Sequence, residues 1–562
     1  MVTKRFSVVA VAVCASFGLA ACQGGSNAAG AGSGGGGGMI KQLTFPSEAP
    51  NTIGGLVDYN PYSPNALTKT WIYETLMVRN GLSCDITPWL ATDYEWTDGA
   101  KGLTFTIRDG VKWSDGKPFT AKDVAFTLNL GKQYPAIDRA GLWTDTFGKA
   151  ATSVKAEGNK VVIAFGGNAA PKFDELIRLQ ILPEHVYASV GDPSKYIDKK
   201  PVGTGPFTVG TYNGRRLVLQ RNAGYWQADK VKVQQLVLEG QYDAAQASLK
   251  LRSGELDAYW GEIPNPKRSF VDADPKTNHF YYAPNGTTVL SPNVEKKPFT
   301  DARFREALAP AINRQEISDK ATYGIMKPAS QTGLKLPNAA KLLPDDLAKQ
   351  DTVTKFDAAK ANELLDAAGY KKGADGKRTN PDGSPLSLTF SVQAGWIDYQ
   401  AMADVIARNL NEVGVTTKVV ATAPEAVDTQ KKNGTYQLAL EYLHGGCEVA
   451  KNLGAKLSSD QIPQAGKDIL PNVERWNDPQ TDATVKELSA AIDPEEQKRL
   501  VGDLVQTMMT KYPVTSLIYA PSRLIYNSDH AVGWPSEQDP YANPGDDRLL
   551  ILTHLRAPGS GD

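Results

Sequence analysis

The segment LTFTIRDGVKWSDGKPFTAKDVAFTL, residues 103–128, carries the clearest structural signal in the chain. Apolar and polar residues alternate over residues 103–107, which is the period of a strand with one buried face. Asp109-Gly110 and Asp115-Gly116 are turn signals on either side of a second short alternating run. Thr120–Asp123 has the pattern of a capping box, which marks the start of a helix. The segment therefore predicts strand, turn, strand, turn and helix.

The rest of the chain also alternates between helix and strand signals. Apolar residues over 304–312 are spaced as on one helix face, and Pro310 should kink or shorten that helix. Further helices are expected over residues 356–368 and around 500–508, and a strand is expected over 514–526. This mixture predicts an α/β fold.

Length and charge limit the class of protein. The chain has 562 residues, which suits two or three subdomains with separate cores. It has 61 Lys and Arg against 62 Asp and Glu, a net charge of -1. A nucleic-acid-binding protein needs a basic excess, so no nucleic-acid partner is expected.

The sequence shows no catalytic or metal-binding motif. It has no G-x-S-x-G, no H-E-x-x-H and no Walker loop. Its five His are scattered, so we expect no metal and no cofactor. A secreted glycosidase is the enzymatic alternative, because such an enzyme needs only two carboxylates at a suitable separation.

The N-terminus predicts export and a lipid anchor. Lys4 and Arg5 precede an apolar stretch over residues 6–19, too short to span a bilayer comfortably but typical of a signal peptide. Residues 19–22, LAAC, resemble a bacterial lipobox, which implies cleavage before Cys22 and acylation of that residue. The alternatives are an ordinary export signal and an uncleaved anchor. The Gly-rich residues 23–38 then predict a flexible tether with a reach of about 20–24 Å.

The cysteine count leaves one pairing open. Cys14 lies in the predicted signal peptide and Cys22 is the predicted lipidation site, so Cys84 and Cys447 are left in the mature chain. Export makes a disulfide possible. Two isolated cysteines are too few to establish one from sequence.

Several segments, in order, resemble the family 5 extracellular solute-binding proteins, the peptide, nickel and oligosaccharide branch of ABC importers. The matching segments are NPY (60–62), WIYETL (71–76), PWLA (88–91), the segment 103–128, GTGPF (203–207), LRSGELD (251–257), FREAL (304–308), AINR (311–314), AK (359–360), LL (364–365), AAGY (367–370) and RWNDP (475–479). Their number, order and spacing carry the resemblance over nearly all of the mature chain.

The resemblance implies a two-lobe, periplasmic-binding-protein-like α/β fold with a hinge between the lobes. Residues 1–21 are then the lipoprotein signal peptide and 22–43 the tether. Lobe I takes residues 44–290, with an extra subdomain at about 71–204. Lobe II takes residues 291–510, and residues 511–562 return to lobe I.

One motif suggests the solute. Residues 392–399, VQAGWIDY, resemble the Gly-Trp-x-Asp-aromatic motif of the sugar-binding branch. The resemblance assigns Trp396, Asp398 and Tyr399 to the ligand site, since a pyranose can stack on an indole and its hydroxyls need planar acceptors. The alternatives are a core tryptophan at 396 and a helix N-cap at Asp398.

The peptide alternative depends on another region. Peptide binders of the family commonly carry an Asp for the ligand's amino terminus, and the corresponding residues 438–447 contain none. Glu441 and Glu448 are candidate replacements, and His444 lies in the same run as Glu441. The remaining candidate ligand-binding residues, each with a structural alternative, are Asn60, Tyr62, Trp71, Trp260 and Trp534. We favour an oligosaccharide over a peptide, and the scattered His disfavour nickel.

These observations predict a monomeric solute-binding lipoprotein on the outer face of the cytoplasmic membrane. It is expected to capture a short oligosaccharide or oligopeptide and deliver it to ABC permease subunits. The alternative within the family is a solute sensor or assembly factor that takes no part in uptake.

Overall fold

A computed structural model describes residues 38–47, 57–63, 70–146 and 148–560. The predicted signal peptide and the lipidation site Cys22 lie outside the described residues. Residues 40–43, which the sequence assigned to the tether, belong instead to the first strand, which begins at Ile40 and buries Ile40 and Leu43. None of the helices in these ranges has the length and apolar character needed to cross a membrane.

The strands in the described ranges are β1 (Ile40–Pro46), β2 (Met77–Arg79), β3 (Ile86–Pro88), β4 (Ala91–Thr97), β5 (Gly102–Ile107), β6 (Ala151–Glu157), β7 (Lys160–Phe165), β8 (Phe207–Tyr212), β9 (Arg216–Arg221), β10 (Val233–Glu239), β11 (Ala258–Tyr259), β12 (Asn278–Pro292), β13 (Ser387–Gln393), β14 (Thr416–Thr422), β15 (Leu438–His444) and β16 (Thr515–Asn527). They form a six-stranded sheet in the order β11-β16-β12-β15-β13-β14, the four-stranded sheets β1-β10-β9-β8 and β4-β5-β7-β6, and the pair β2-β3.

The α-helices in these ranges are α1 (Ala121–Gln133), α2 (Phe173–Ile177), α3 (Glu184–Tyr187), α4 (Ala244–Arg252), α5 (Pro266–Ser269), α6 (Ala302–Ala311), α7 (Arg314–Ala321), α8 (Asp345–Ala348), α9 (Ala358–Ala367), α10 (Ile397–Glu412), α11 (Pro424–Lys432), α12 (Val449–Leu457), α13 (Pro479–Ala490), α14 (Pro494–Thr510) and α15 (Arg548–His554).

The segment 103–128 folds largely as its sequence predicts. Strand β5 alternates buried and half-buried residues, and α1 begins with the predicted capping box between Thr120 and Asp123. The second predicted strand does not form: residues 111–113 contribute only an isolated bridge between Lys112 and Pro118. Two turn-forming Gly so close together leave too few residues for a ladder.

Buried apolar side chains form three large clusters. The first core draws on residues 40–258 and 524–555, and the second draws on 290–440 and 517–519. The third core draws on Val289 and residues 334–514.

Two long antiparallel strands link these cores. Strand β16 carries Leu517 in the second core and Leu524 in the first. Its partner β12 carries Leu290 in the second core and packs Phe280 against a small cluster around Phe270. Cys84 and Cys447, whose pairing the sequence left open, form a disulfide.

Candidate functional site

A cavity of about 420 Å³ lies against the six-stranded sheet. The sheet supplies Tyr282, Asn285, Thr288, Tyr442, His444, Ile518, Tyr519, Ala520, Pro521 and Arg523. The segment that follows β11 supplies Glu262, Ile263 and Pro266, and the helical side supplies Ala321, Thr322, Tyr323, Ile325, Met326, Asp398, Tyr399 and Met402. This size and mixture of aromatic and polar groups suit a small solute.

Strand pairing places the sheet residues of the cavity. Tyr282 of β12 pairs with Arg523 of β16, and Thr288 pairs with Tyr442 of β15. Side chains alternate across a strand, so residues such as Tyr442 and His444 share one face. Gly286 leaves room for this wall, since a Cβ at that position would lie 2.5 Å from the Tyr442 ring.

The start of α10 forms the opposite side. Asp398 and Tyr399 lie in its first turn and line the cavity. Asp398 is therefore not an N-cap, because Trp396 occupies that position and makes no side-chain capping bond. Trp396 is 46% exposed, and its ring packs edge-on against Tyr399 with centroids 5.1 Å apart.

The cavity combines three charged residues with neutral polar groups. The Arg523 guanidinium donates to Glu262 at 3.2 Å, and Asp398 is the third charged residue. Burial raises the pKa of Tyr282 and of Tyr442 to about 12. These phenols therefore stay protonated at neutral pH and can donate hydrogen bonds.

His444 adds an imidazole to the cavity wall. Burial lowers its pKa, and the nearby Lys456 and Lys451 lower it further. Its ring lies 4.6 Å from that of Tyr442. A neutral imidazole can both donate and accept hydrogen bonds, which suits hydroxyl-rich or amide-rich ligands.

Of the ten predicted ligand residues, Asp398, Tyr399 and His444 line this cavity, and Trp396 lies beside it. The other six lie elsewhere: Asn60, Tyr62, Trp71, Trp260, Glu441 and Trp534. Trp71 is 1% exposed and packs against Phe45 and Phe207 in the first core. Trp534 is also buried there and stacks on Tyr526. Their large apolar rings are used for core packing.

The polar candidates among these six are engaged by local structure. The Asn60 amide is buried and donates to the Pro193 and Tyr196 carbonyls at 2.6 and 2.9 Å. Tyr62 is buried and donates to the Gln180 carbonyl at 2.8 Å.

Trp260 and Glu441 are likewise held by protein groups. Trp260 donates to the Pro544 carbonyl at 2.7 Å. Glu441 forms an ion pair with Lys431 and lies 3.9 Å from Lys456. Its carboxylate is therefore committed to a charge cluster.

Sequence reasoning missed the cavity residues on β12 and β16 and the loop residue Glu262. A partial signal was available, because aromatic residues cluster at 280–282 and residues 514–526 were expected to form a strand. The sequence did not indicate which strands would face the solute. Among the described residues, no group of three or more His, Cys, Asp or Glu is placed to hold a metal ion.

Comparison with known proteins gives the family. The model for the bacterial extracellular solute-binding proteins, family 5 middle region, matches residues 85–459. Protein XP55 of Streptomyces lividans is 28% identical over 466 residues, covering 82% of this chain and 81% of that protein. Di/tripeptide-binding protein 1 of Pseudomonas aeruginosa is 26% identical over 472 residues, covering 78% and 82%.

The fold is shared with solved structures. A periplasmic oligopeptide-binding protein of an oligopeptide ABC transporter from Thermotoga maritima superposes with a TM-score of 0.75 at 23% identity, covering 92% of this chain and 99% of that one. This likeness confirms the predicted periplasmic-binding-protein-like α/β fold. From the family match, the chain belongs to the bacterial extracellular solute-binding proteins of family 5.

Proposed function

We propose that this protein is the solute-binding component of an ABC importer, and that it encloses a short oligomeric solute in the cavity for delivery to a permease. The observation that carries the proposal is the origin of the cavity walls. On one side Ile263 belongs to the small separate core around Phe270, and on the other side Ala321, Met402 and Ile518 belong to the second core. A cavity built in this way opens when the cores move apart.

Strands β12 and β16 are the proposed hinge. Lobe I would then comprise residues 44–290, with its subdomain at about 71–204, and residues 511–562, while lobe II comprises 291–510. The separate cores support a division of this kind, with the return to lobe I falling within β16, because Val514 belongs to the third core and residues 517–519 belong to the second, whereas Leu524 belongs to the first. A solute that touches both lobes favours the closed form by its differential affinity for that form.

A short oligosaccharide is the proposed solute. Trp396 presents a half-exposed indole next to Tyr399, and an exposed ring of this kind can stack on the apolar face of a pyranose. Asp398 and His444 then offer acceptors for the sugar hydroxyls. Trp396 carries this choice of solute.

A short peptide is the second candidate, and a different observation favours it. The Glu262–Arg523 pair and Asp398 place both signs of charge in the cavity, which suits a zwitterion. Di/tripeptide-binding protein 1 is also among the relatives.

The proposed location of the protein rests on the sequence of its N-terminus. Cleavage before Cys22 and acylation of that residue would hold the protein at the outer face of the cytoplasmic membrane. Incorporation of labelled palmitate that is lost in Cys22→Ala would support the anchor, and equal labelling of both forms would exclude it.

Calorimetry and thermal shift on the mature protein test the solute, with short manno- and gluco-oligosaccharides compared with di- and tripeptides. A solute at about 100 times Kd should add roughly 2.7 kcal/mol of stability. Trp396→Ala should weaken oligosaccharide binding about two- to tenfold, the equivalent of 0.5–1.5 kcal/mol of ring stacking.

The control is Ile397→Ala, which removes a neighbouring side chain that is 81% exposed but has no ring. It should leave the affinity unchanged. Equal weakening by both variants would remove the stacking role of Trp396. Binding of peptides alone would establish the second candidate, and binding of neither class would reject both.

A further inference from the structure

The disulfide joins two parts of the molecule that belong to different cores. Cys84 lies in the turn between β2 and β3, and the flanking Met77 is part of the first core. Cys447 lies between β15 and α12, where Leu443 and Val449 are part of the third core. The two cysteines are 363 residues apart in sequence.

The turn that carries Cys84 is fixed to its own side. The Gly81 amide donates to both carboxylate oxygens of Asp547 at 3.0 and 2.9 Å, and the Asn80 side chain donates to the Tyr541 carbonyl at 2.7 Å. Arg79, next to the turn, pairs with Asp174 at 2.5 Å. These bonds therefore fix the turn that carries Cys84 to the side of the molecule that contains the first core.

Cys447 lies close in sequence to the proposed solute site. It follows His444, which lines the cavity, by three residues. Only Gly445 and Gly446 stand between Cys447 and that strand residue. The Gly445 amide donates to the carbonyl of Asn285, which also lines the cavity, at 3.1 Å, so the segment that carries Cys447 is attached to the cavity wall.

Polar contacts also join the two parts of the molecule that the disulfide connects. Lys335 donates to the Gly81 carbonyl at 2.6 Å, and Lys341 pairs with Asp85. Lys451 pairs with Glu175 at 3.0 Å. The two ion pairs are exposed, and exposed ion pairs contribute little to stability. Lys335 is buried, so its hydrogen bond to Gly81 is the stronger non-covalent restraint at this turn.

The backbone at Cys84 indicates that the cysteine is not there for the turn. Its φ is 63°, in the left-handed region where Gly or Asn is the usual choice. A Gly would fit the turn with less strain. The bond to Cys447 gives a reason for the less suitable residue.

We propose that Cys84–Cys447 is a redox-controlled latch that limits opening of the solute cavity; this inference rests on the proposed function. A disulfide keeps its two Cα atoms within about 6.8 Å, and here they are 5.3 Å apart. With the bond formed, rotation of the lobes cannot separate the two chain segments at this point. With the bond broken, the polar contacts are the remaining restraint there.

The chemistry is thiol–disulfide exchange with a dithiol. Cys84 is buried and Cys447 is half-buried, so a reductant's thiolate attacks the Cys447 sulfur and displaces the Cys84 thiolate, which takes up a proton. The second thiol of the reductant then breaks the mixed disulfide and releases Cys447 as a thiol. Two electrons and two protons pass to the protein, and the reductant leaves as a disulfide. The reverse exchange with an oxidised dithiol closes the latch.

Small-angle scattering on the solute-free mature protein tests the latch. We compare the oxidised protein, the same protein reduced with a dithiol, and the double variant Cys84→Ser, Cys447→Ser. Maleimide labelling and mass spectrometry count the free thiols. The oxidised form should have no free thiol at these positions, and both latch-free forms should have a larger radius of gyration.

Lys341→Ala is the matched control, because it removes an ion pair at the same turn and leaves the disulfide. It should scatter as the oxidised wild type does. The reduced wild type provides the test if the double variant does not fold. Equal radii in every form, or two free thiols in the exported protein, would overturn the latch.

The same samples separate the latch from the proposed function. Mannotriose and trialanine are titrated into each form. Absence of binding in every form, together with the scattering shift, contradicts the function and supports the latch. Binding with identical scattering in all forms contradicts the latch and supports the function.

Discussion

Glu74→Gln should change how the stability of this protein depends on pH. Glu74 is 1% exposed, and its carboxylate accepts from Trp89 Nε1 at 2.5 Å and the Tyr225 hydroxyl at 2.8 Å. Trp226 Nε1 lies 3.3 Å from both carboxylate oxygens. Burial raises the pKa of Glu74 from 4.5 to about 7, and these hydrogen bonds offset only part of that effect.

The sign follows from proton binding. Between pH 4.5 and 7 the folded state keeps the Glu74 proton, while the unfolded state loses it. The contribution of Glu74 to stability is therefore fully present below pH 4.5 and is lost as the pH rises to 7. One pKa unit is about 1.36 kcal/mol, so the loss is about 3 kcal/mol. Unfolding entropy of about 2.1 cal/mol/K per residue converts this to a fall of about 3 °C in Tm for residues 38–562.

Thermal unfolding followed by circular dichroism at pH 4.5, 6 and 8 measures the effect. Gln has the shape of Glu and does not titrate, so the Tm difference between Glu74→Gln and wild type should move about 3 °C in favour of the variant across this range. Other buried carboxylates such as Glu474, whose pKa is also raised to about 7, affect both proteins equally. The exposed Glu157→Gln is the control and should follow the wild type. Parallel Tm profiles for Glu74→Gln and wild type would refute the reasoning.

Two further predictions concern residues of the early motifs. Asn60→Ala leaves buried carbonyls and the Tyr62 amide without a partner, so it should cost about 2–3 kcal/mol and lower Tm without changing solute affinity; an affinity loss at unchanged Tm would return Asn60 to the ligand site. Gly203→Ala places a Cβ 1.9 Å from the Ile72 carbonyl oxygen, so we expect a loss of about 3 kcal/mol or more in thermal unfolding, whereas Gly224→Ala, with 3.5 Å of clearance, should be tolerated. Equal Tm values for the two Gly variants would contradict the clash.

Local signals predicted local structure well. The capping box at Thr120 and the alternation before it depend on neighbours a few residues away, and both form as expected. The helix expected over 356–368 forms as α9, and the strand expected over 514–526 forms as β16. Residue type alone did not separate Trp71, which is buried, from Trp396, which is half-exposed, because that difference depends on distant packing.

The proposed site was harder to predict because its charges meet across the fold. Glu262 and Arg523 are 261 residues apart and come together through the packing of the segment after β11 against β16. Glu441 looked available for a ligand from its position in the chain, yet its carboxylate pairs with Lys431 of α11 and lies 3.9 Å from Lys456 of α12. A motif indicates where the start of α10 lies, but sequence spacing carries no information about the facing wall.

The cavity wall and the proposed hinge use the same strands, which has a consequence for specificity. The pairing of β12 with β16 shifts register between Pro284 and Gly286, and between Thr288 and Val289. Bulges of this kind bend a strand and re-aim its side chains. Rotation about these strands would therefore change the relative positions of Tyr282, Arg523 and Tyr442. On the proposed hinge, a solute makes all of these contacts together only in the closed arrangement, so binding and closure are coupled.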